Sequence, residues 1–158
     1  MPRIHLTTFI AAPADRVFDL SRNIAVYKSA FNNRKELISS GAASNLVNHG
    51  ETIILHAKHF GKTRNVTLRI TALEKPSSFT EEQVKGDLEN YLHEHHFKQV
   101  DNGTIMIDII EFGPPRDIPA KVFGKFFLKK YLENILIKRN ESIKQYAETE
   151  KWRAVLTA

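Results

Sequence analysis

The segment that most constrains this chain runs from Tyr91 to Phe112: Tyr91-Leu-His-Glu-His-His-Phe97, then Asp101-Asn102-Gly103, then Thr104-Ile-Met-Ile-Asp-Ile-Ile-Glu-Phe112. Two strand-like runs flank an Asn-Gly turn signal, the strongest short-range mark of a β-hairpin. Symmetric pairing sets Phe97 opposite Met106, His95 opposite Asp108 and His93 opposite Ile110. An imidazole faces a carboxylate inside an otherwise apolar strand. Such a pair serves chemistry, ligand recognition or the sheet alone, since cross-strand ion pairs also stabilise a sheet modestly.

Periodicity leaves the inward face open. Ile105, Ile107 and Ile109 lie on one side of the second strand, and Met106, Asp108, Ile110 and Phe112 on the other. If the triple-Ile face is the core, His95 and Asp108 point to solvent. If Tyr91, Phe97 and Phe112 mark the core, they point inward.

The rest of the chain supplies a frame for the hairpin. Arg3 to Ala12 reads as a strand, with Ile4, Leu6 and Ile10 in phase. Pro13 suits the first turn of a helix carrying Val17, Phe18 and Leu20, since its missing N–H costs nothing there. A second short helix runs from Ile24 to Phe31. Strands follow at 35–40, 52–60, 66–72 and 79–85. On the third of these Val66, Leu68, Ile70 and Ala72 alternate with Thr67, Arg69 and Thr71, so Arg69 faces solvent or partners an acid. Gly113-Pro114-Pro115 is a firm stop, and one long helix is expected over about 118–150. Its apolar residues, among them Phe123, Phe127, Tyr131 and Ile135, form more than one stripe. Strands joined by short turns imply an antiparallel meander, and only the long helix is large enough to cover its apolar face.

The bulk numbers fit one globular α+β domain over 1–158. The chain has 158 residues, 42% of them hydrophobic, and no cysteine. Disulfide frameworks, thiolate metal sites and cysteine nucleophiles are excluded. The net charge of +5 comes from scattered residues rather than a patch, so no nucleic-acid partner is expected. There is no signal-type or membrane-spanning run, which makes a cytoplasmic location the expectation. No phosphate loop or serine nucleophile motif is present.

Two blocks of residues resemble a known superfamily. Ile10-Ala-Ala-Pro-Ala-Asp-Arg-Val-Phe18 is similar to the opening of START-like, or SRPBCC, proteins. Phe79-Thr-Glu81-Glu-Gln83, Gly86, His93-Glu-His95-His-Phe97, Gly103-Thr104, Asp108 and Pro114-Pro115 follow a pattern of its bacterial ligand-binding branch. The one departure is Glu81, where that pattern has Asp. The resemblance spans about Ile4 to Ala147. It implies the helix-grip fold: a seven-stranded antiparallel sheet wrapped around the C-terminal helix, two short helices after the first strand, and an apolar cavity between sheet and helix.

The resemblance does not imply a reaction, because the superfamily includes carriers, receptors and cyclases. The leading expectation is binding or transport of a small hydrophobic molecule such as a lipid, isoprenoid or polyketide. Glu81, Gln83, Tyr91, His93, His95, Phe97, Asp108, Phe112, Phe127 and Tyr131 would line its site. One alternative is a cyclase/dehydratase-type enzyme with His95 as base and Asp108 orienting it. Another is a protein-interaction or co-chaperone-like module. An enzyme is the less favoured reading. His93, His95 and Asp108 have the composition of a His₂-carboxylate metal site, but such sets recur by chance, so neither metal nor cofactor is expected. Contact with a membrane surface and a homodimer through the C-terminal helix stay open.

Overall fold

The structure is a computed structural model that describes residues 2–30, 37–40, 44–59, 61–119 and 125–156. Its elements are β1 (Arg3–Ile10), α1 (Ala14–Ser21), α2 (Ile24–Ala30), β2 (Leu37–Ser40), β3 (Thr52–His59), β4 (Lys62–Glu74), β5 (Ser78–Lys85), β6 (Tyr91–Val100), β7 (Gly103–Phe112), α3 (Lys125–Glu148) and α4 (Trp152–Leu156). The strands form one seven-stranded sheet in the order β1-β7-β6-β5-β4-β3-β2, every neighbour antiparallel. This is the expected helix-grip arrangement: a meander from β2 to β7, with β1 closing against β7 and α3 on the inner face.

Local chemistry accounts for the elements. Pro13 stands at the N-cap of α1 with φ −61° and ψ 148°, and its carbonyl accepts from Val17 N at 3.1 Å. Val17, Phe18 and Leu20 are fully buried, as the sequence implies. Asn23 links the two short helices: its Oδ1 accepts from Ala25 N at 2.9 Å, the usual cap for a helix start, and its Nδ2 donates to Val155 O at 3.1 Å.

The 91–112 hairpin has the expected register, with Phe97 opposite Met106, His95 opposite Asp108 and His93 opposite Ile110. Its turn sits one residue earlier than the Asn-Gly signal suggests. Val100 pairs with Gly103, so Asp101 and Asn102 form the loop and Gly103 opens β7. Gly103 is not among the glycines with positive φ. Glycine is needed there for space, since a Cβ would lie 2.4 Å from the Ile10 carbonyl oxygen of β1.

Three expectations need correction. Ala72 is exposed rather than in phase with Leu68 and Ile70. A register shift between Ile70 and Ala72 turns Leu73 to the core instead, as a β-bulge does. The long helix does not begin at 118: Ile118 N closes a turn on Pro115 O, and Asp117 is held by Arg64 and Lys62. It ends at Glu148, where Thr149 Oγ1 bonds back to Gln145 O and accepts from Lys151 N, and a separate α4 follows. Third, Phe127 is 54% exposed, beside Phe126 at 85%. Helix phase explains it, because the buried stripe of α3 runs through Leu128, Leu136, Arg139, Asn140, Ile143 and Ala147. Phe31, residues 35–36 and Phe123 lie outside the described residues. No helix among the described residues is long and apolar enough to cross a membrane.

Candidate functional site

The pleat carries alternate residues of β5, β6 and β7 to the inner face. Two adjacent rows cross the sheet there. One is Ile70–Glu81–His93–Ile110–Ile4, and the next is Leu73–Phe79–His95–Asp108–Leu6. His95 and Asp108 are 0% exposed, and Glu81 and His93 are buried with them. The aromatic face is thus the inner one, while Ile105, Ile107 and Ile109 are half-buried on the other side.

Three residues that the sequence did not single out complete the cluster. Tyr27 of α2 hydrogen-bonds Glu81 Oε1 at 2.7 Å. Asn140 of α3 donates to Asp108 Oδ2 at 2.8 Å. Arg139 stacks its guanidinium over the Tyr27 ring, 4.8 Å from the centroid, and donates to the Ser21 carbonyl at 2.6 Å. The one available signal was an Arg-Asn pair one turn beyond the apolar residues Ile135 and Leu136.

The polar groups form a layer between two apolar ones. On one side pack Ile4, Ile110, Phe112, Leu128 and Leu136; on the other pack Phe18, Ile70, Phe79, Phe97, Met106 and Ile143. Phe79 stacks on His95 at 4.1 Å, and His95 on His93 at 3.7 Å. Buried charges must be paired, and here each carboxylate has partners. Asp108 Oδ1 lies 2.8 Å from His93 Nε2 and 3.2 Å from His95 Nδ1. Glu81 Oε2 lies 3.4 Å from His95 Nε2 and 3.8 Å from His93 Nδ1. Each imidazole therefore turns one nitrogen to Asp108 and the other to Glu81. The expected His95–Asp108 pair is present, but His93 reaches the carboxylate more closely.

These contacts set the charge states. Burial opposes ionisation of Glu81, but His95, Arg139 and His93 outweigh it and hold the carboxyl down at about 2. Burial likewise resists the Asp108 carboxylate, but the hydrogen bond from His93 and the close His95 ring outweigh it and hold the carboxyl well below the ordinary range. Burial, with His95 beside it, lowers His93 to about 4, so its imidazole is neutral at neutral pH. Burial raises the Tyr27 phenol well above its usual value, with Glu81 adding to the effect.

The layer is not saturated. His95 Nδ1 and Nε2, Arg139 Nε and Nη1, and Asn140 Oδ1 are buried with no hydrogen-bond partner among the described residues. The His95 contacts are close but not aligned as hydrogen bonds. A buried polar atom left in that state costs about 1–3 kcal/mol.

Of the other expected site residues, Tyr91 is half-buried with its hydroxyl 3.4 Å from His93 Nδ1. Phe97 packs edge-on to Phe18 and Phe112 sits in the opposite apolar layer. Tyr131 is half-buried. Gln83 stands apart from the cluster, donating to Leu88 O at 2.9 Å. It lines a cleft of about 380 Å³ that includes Glu89, Asn90, Tyr91, Leu92 and Arg116. The cleft lies past the last β5–β6 pair, Glu82–Leu92. Tyr91 belongs both to that cleft and to the edge of the buried layer.

No protein-family model matches the chain, and no curated protein does. Solved structures do share the fold. The chain is similar to the Zhui aromatase/cyclase from Streptomyces sp. R1128, with 15% identity, 99% of this chain and 98% of that one covered, and a TM-score of 0.73. It is similar to a START superfamily protein from Mycobacterium smegmatis at 11% identity, covering 92% and 97%, with a TM-score of 0.66. It also resembles ginseng major latex-like protein 151 from Panax ginseng at 13% identity, covering 94% and 98%, with a TM-score of 0.68. At such identities the likeness establishes the fold alone: this chain has the helix-grip fold that those structures share.

Proposed function

We propose that the chain binds a small, largely apolar molecule between the sheet and α3, with one polar group of that molecule docked on the buried layer. The observation that carries this reading is the set of unpartnered polar atoms on His95, Arg139 and Asn140, enclosed by apolar layers on both sides. Apolar walls with a few convergent polar groups are the usual chemistry of a small-molecule site: the walls give affinity and the polar groups fix orientation. Arg139 offers two N–H directions, and Asn140 Oδ1 offers an acceptor. A carbonyl or hydroxyl oxygen on an otherwise apolar skeleton suits that set. The cleft beside Tyr91 is the route by which such a molecule would reach the layer.

The test is titration of the purified full chain with a fluorescent fatty acid and with a polyaromatic ketone probe, alongside solvent extraction of the protein as isolated. Saturable one-to-one binding of either probe, weakened at least about ten-fold in Arg139→Met, is the expected result. No bound lipid and no saturable binding of either probe would overturn the reading.

A second reading is acid/base chemistry of the cyclase/dehydratase type, favoured by the contact of His95 with Asp108. His95 would take a proton next to a carbonyl, with Asp108 holding its ring. Exchange of the methylene protons of a β-diketone in D₂O, followed by NMR and lost in His95→Gln, tests it. No acceleration over buffer would exclude it for that substrate class.

A further inference from the structure

We propose that Glu81, His93 and His95 form a binding site for a divalent transition-metal ion. The inference rests on the donor geometry and stands whether or not the chain binds an apolar molecule. One ligand atom from each of the three residues lies within 4.8 Å of the others, and all three side chains are buried. The donor set is not the one that strand pairing suggested. Asp108 stands behind the imidazoles rather than beside Glu81 in front of them.

The hydrogen bonds around the three donors are partly arranged for such an ion. Asp108 Oδ1 faces His93 Nε2 at 2.8 Å and His95 Nδ1 at 3.2 Å. Asp108 takes the N–H of the His93 ring, which leaves a lone pair on His93 Nδ1, and His95 Nδ1 faces the same oxygen without an aligned hydrogen bond, so only a reorientation of the His95 ring would complete the pattern. A carboxylate holding the rings from behind is the outer-shell arrangement of metal-bound histidines. Asn140 fixes the other oxygen of Asp108 at 2.8 Å, which keeps the carboxylate in place. On the front side Tyr27 occupies Glu81 Oε1 at 2.7 Å, so Oε2 is the oxygen that faces the rings. His95 Nε2 is fully buried and has no hydrogen-bond partner among the described residues. Among the described residues His93 Nδ1 has one long hydrogen bond, 3.4 Å from Tyr91 OH, beside the 3.8 Å approach of Glu81 Oε2.

Both imidazole–carboxylate distances are compatible with a common centre. Bonds of about 2.0–2.2 Å in tetrahedral geometry place neighbouring donors roughly 3.3–3.5 Å apart. Glu81 Oε2 is 3.4 Å from His95 Nε2 and 3.8 Å from His93 Nδ1. A small rotation of the His93 ring closes the longer gap. The two rings stack with 30° between their planes and both turn a nitrogen to the same carboxylate oxygen, and binding an ion would require the rings to tilt so that both in-plane lone pairs meet it.

Charge argues the same way. Glu81, Asp108 and Arg139 sum to one negative charge when both imidazoles are neutral, and a neutral imidazole is the form a metal requires. Two nitrogens and one carboxylate oxygen suit Zn²⁺, Fe²⁺, Co²⁺ or Ni²⁺ rather than Mg²⁺ or Ca²⁺, which take oxygen donors. Three protein donors leave a position open for water or for a polar group of a bound molecule.

The experiment is a titration of the EDTA-treated full chain with Co²⁺, read by visible absorption, followed by displacement with Zn²⁺ and calorimetry. The expected result is one ion per chain at micromolar affinity or tighter, falling at least ten-fold in Glu81→Gln and in His95→Gln. His49, which is exposed, and His56, which is half-buried and bonded to Asn65, supply the controls, and His49→Gln with His56→Gln should leave the affinity unchanged. NMR of the unsubstituted chain with ¹⁵N-labelled histidine needs no variant, and Zn²⁺ should shift the ring nitrogens of His93 and His95. Absence of saturable binding would overturn the proposal, and so would ring shifts confined to His49 and His56. Repeating the fluorescent-probe titration with and without EDTA separates the two readings. Probe binding that persists without metal leaves the first reading standing if this one fails.

Discussion

His95 Nδ1 lies 3.2 Å from Asp108 Oδ1 across the β6–β7 ladder, at a point where both side chains are fully buried. The same oxygen takes His93 Nε2, and the other takes Asn140. Asp108 is therefore the common anchor of one strand and one helix. Asp108→Asn keeps the shape but turns half of an acceptor into a donor facing other donors. Breaking a buried charge network in this way costs about 3–5 kcal/mol. Urea denaturation is the measurement, and a loss below about 1 kcal/mol would show that the anchor is not Asp108.

Tyr27 ties α2 to β5 through its 2.7 Å bond to Glu81. Tyr27→Phe removes the hydroxyl and leaves Glu81 Oε1 buried without that donor. The expected cost is about 1–3 kcal/mol. A double-mutant cycle with Glu81→Gln should return a coupling of at least about 0.5 kcal/mol, as groups in contact do. Additive losses would mean that the two side chains act independently.

Gly103 is held by space rather than by backbone angle. Its Cβ would stand 2.4 Å from the Ile10 carbonyl oxygen and 3.0 Å from Ala11 Cα. Both are backbone atoms, so a side-chain rotation cannot relieve the clash. Gly103→Ala should cost about 1–3 kcal/mol, the usual range for overpacking. An unchanged thermal midpoint would contradict this account of the β1–β7 contact.

Glu148 gives a pH dependence of known sign. Burial resists its charge, but the Ala11 amide at 2.8 Å and the Lys144 ammonium at 2.7 Å prevail and hold the carboxyl below its ordinary value. A group whose folded-state pKa is depressed stabilises the fold above the unfolded pKa, and that contribution disappears as the pH falls through the folded one. Urea midpoints measured between about pH 3 and pH 7 should therefore decline toward acid. The decline should be shallower in Glu148→Gln, which keeps an acceptor for Ala11 but cannot titrate. Parallel curves for the two proteins would remove Glu148 from the explanation.

Much of the sheet could be read in advance. The assumed pairing of Phe97 with Met106 and His95 with Asp108 holds, although the Asn-Gly signal alone would have set the two-residue loop one position later and His95 opposite Ile110. The burial of Val17 and Phe18 followed from helix-start rules, while Pro13 stands at the N-cap, one residue before the first turn. Phe127 was misplaced because α3 has apolar residues on more than one side, and composition cannot say which stripe meets the sheet. Ala72 was misplaced because a bulge changes phase without a sequence mark.

The inward face of the hairpin was undecidable from β7 alone, since Ile105, Ile107 and Ile109 compete with Met106, Ile110 and Phe112. Tertiary packing decided it: the larger set of aromatics meets α1 and α3, and the isoleucines stay half-buried outside. The full polar layer was equally hidden. Tyr27 lies 54 residues from Glu81 and Asn140 lies 32 from Asp108. Strand register is a local property, carried by the alternation of side chains and the length of a turn, and the sequence alone determined it. Which side chains converge above the sheet depends on the rotation of α3 and the seating of α2, and these are settled by the packing of whole elements. The histidine–carboxylate pairing therefore belongs to the sequence, and the site that Tyr27, Arg139 and Asn140 build around it belongs to the tertiary structure.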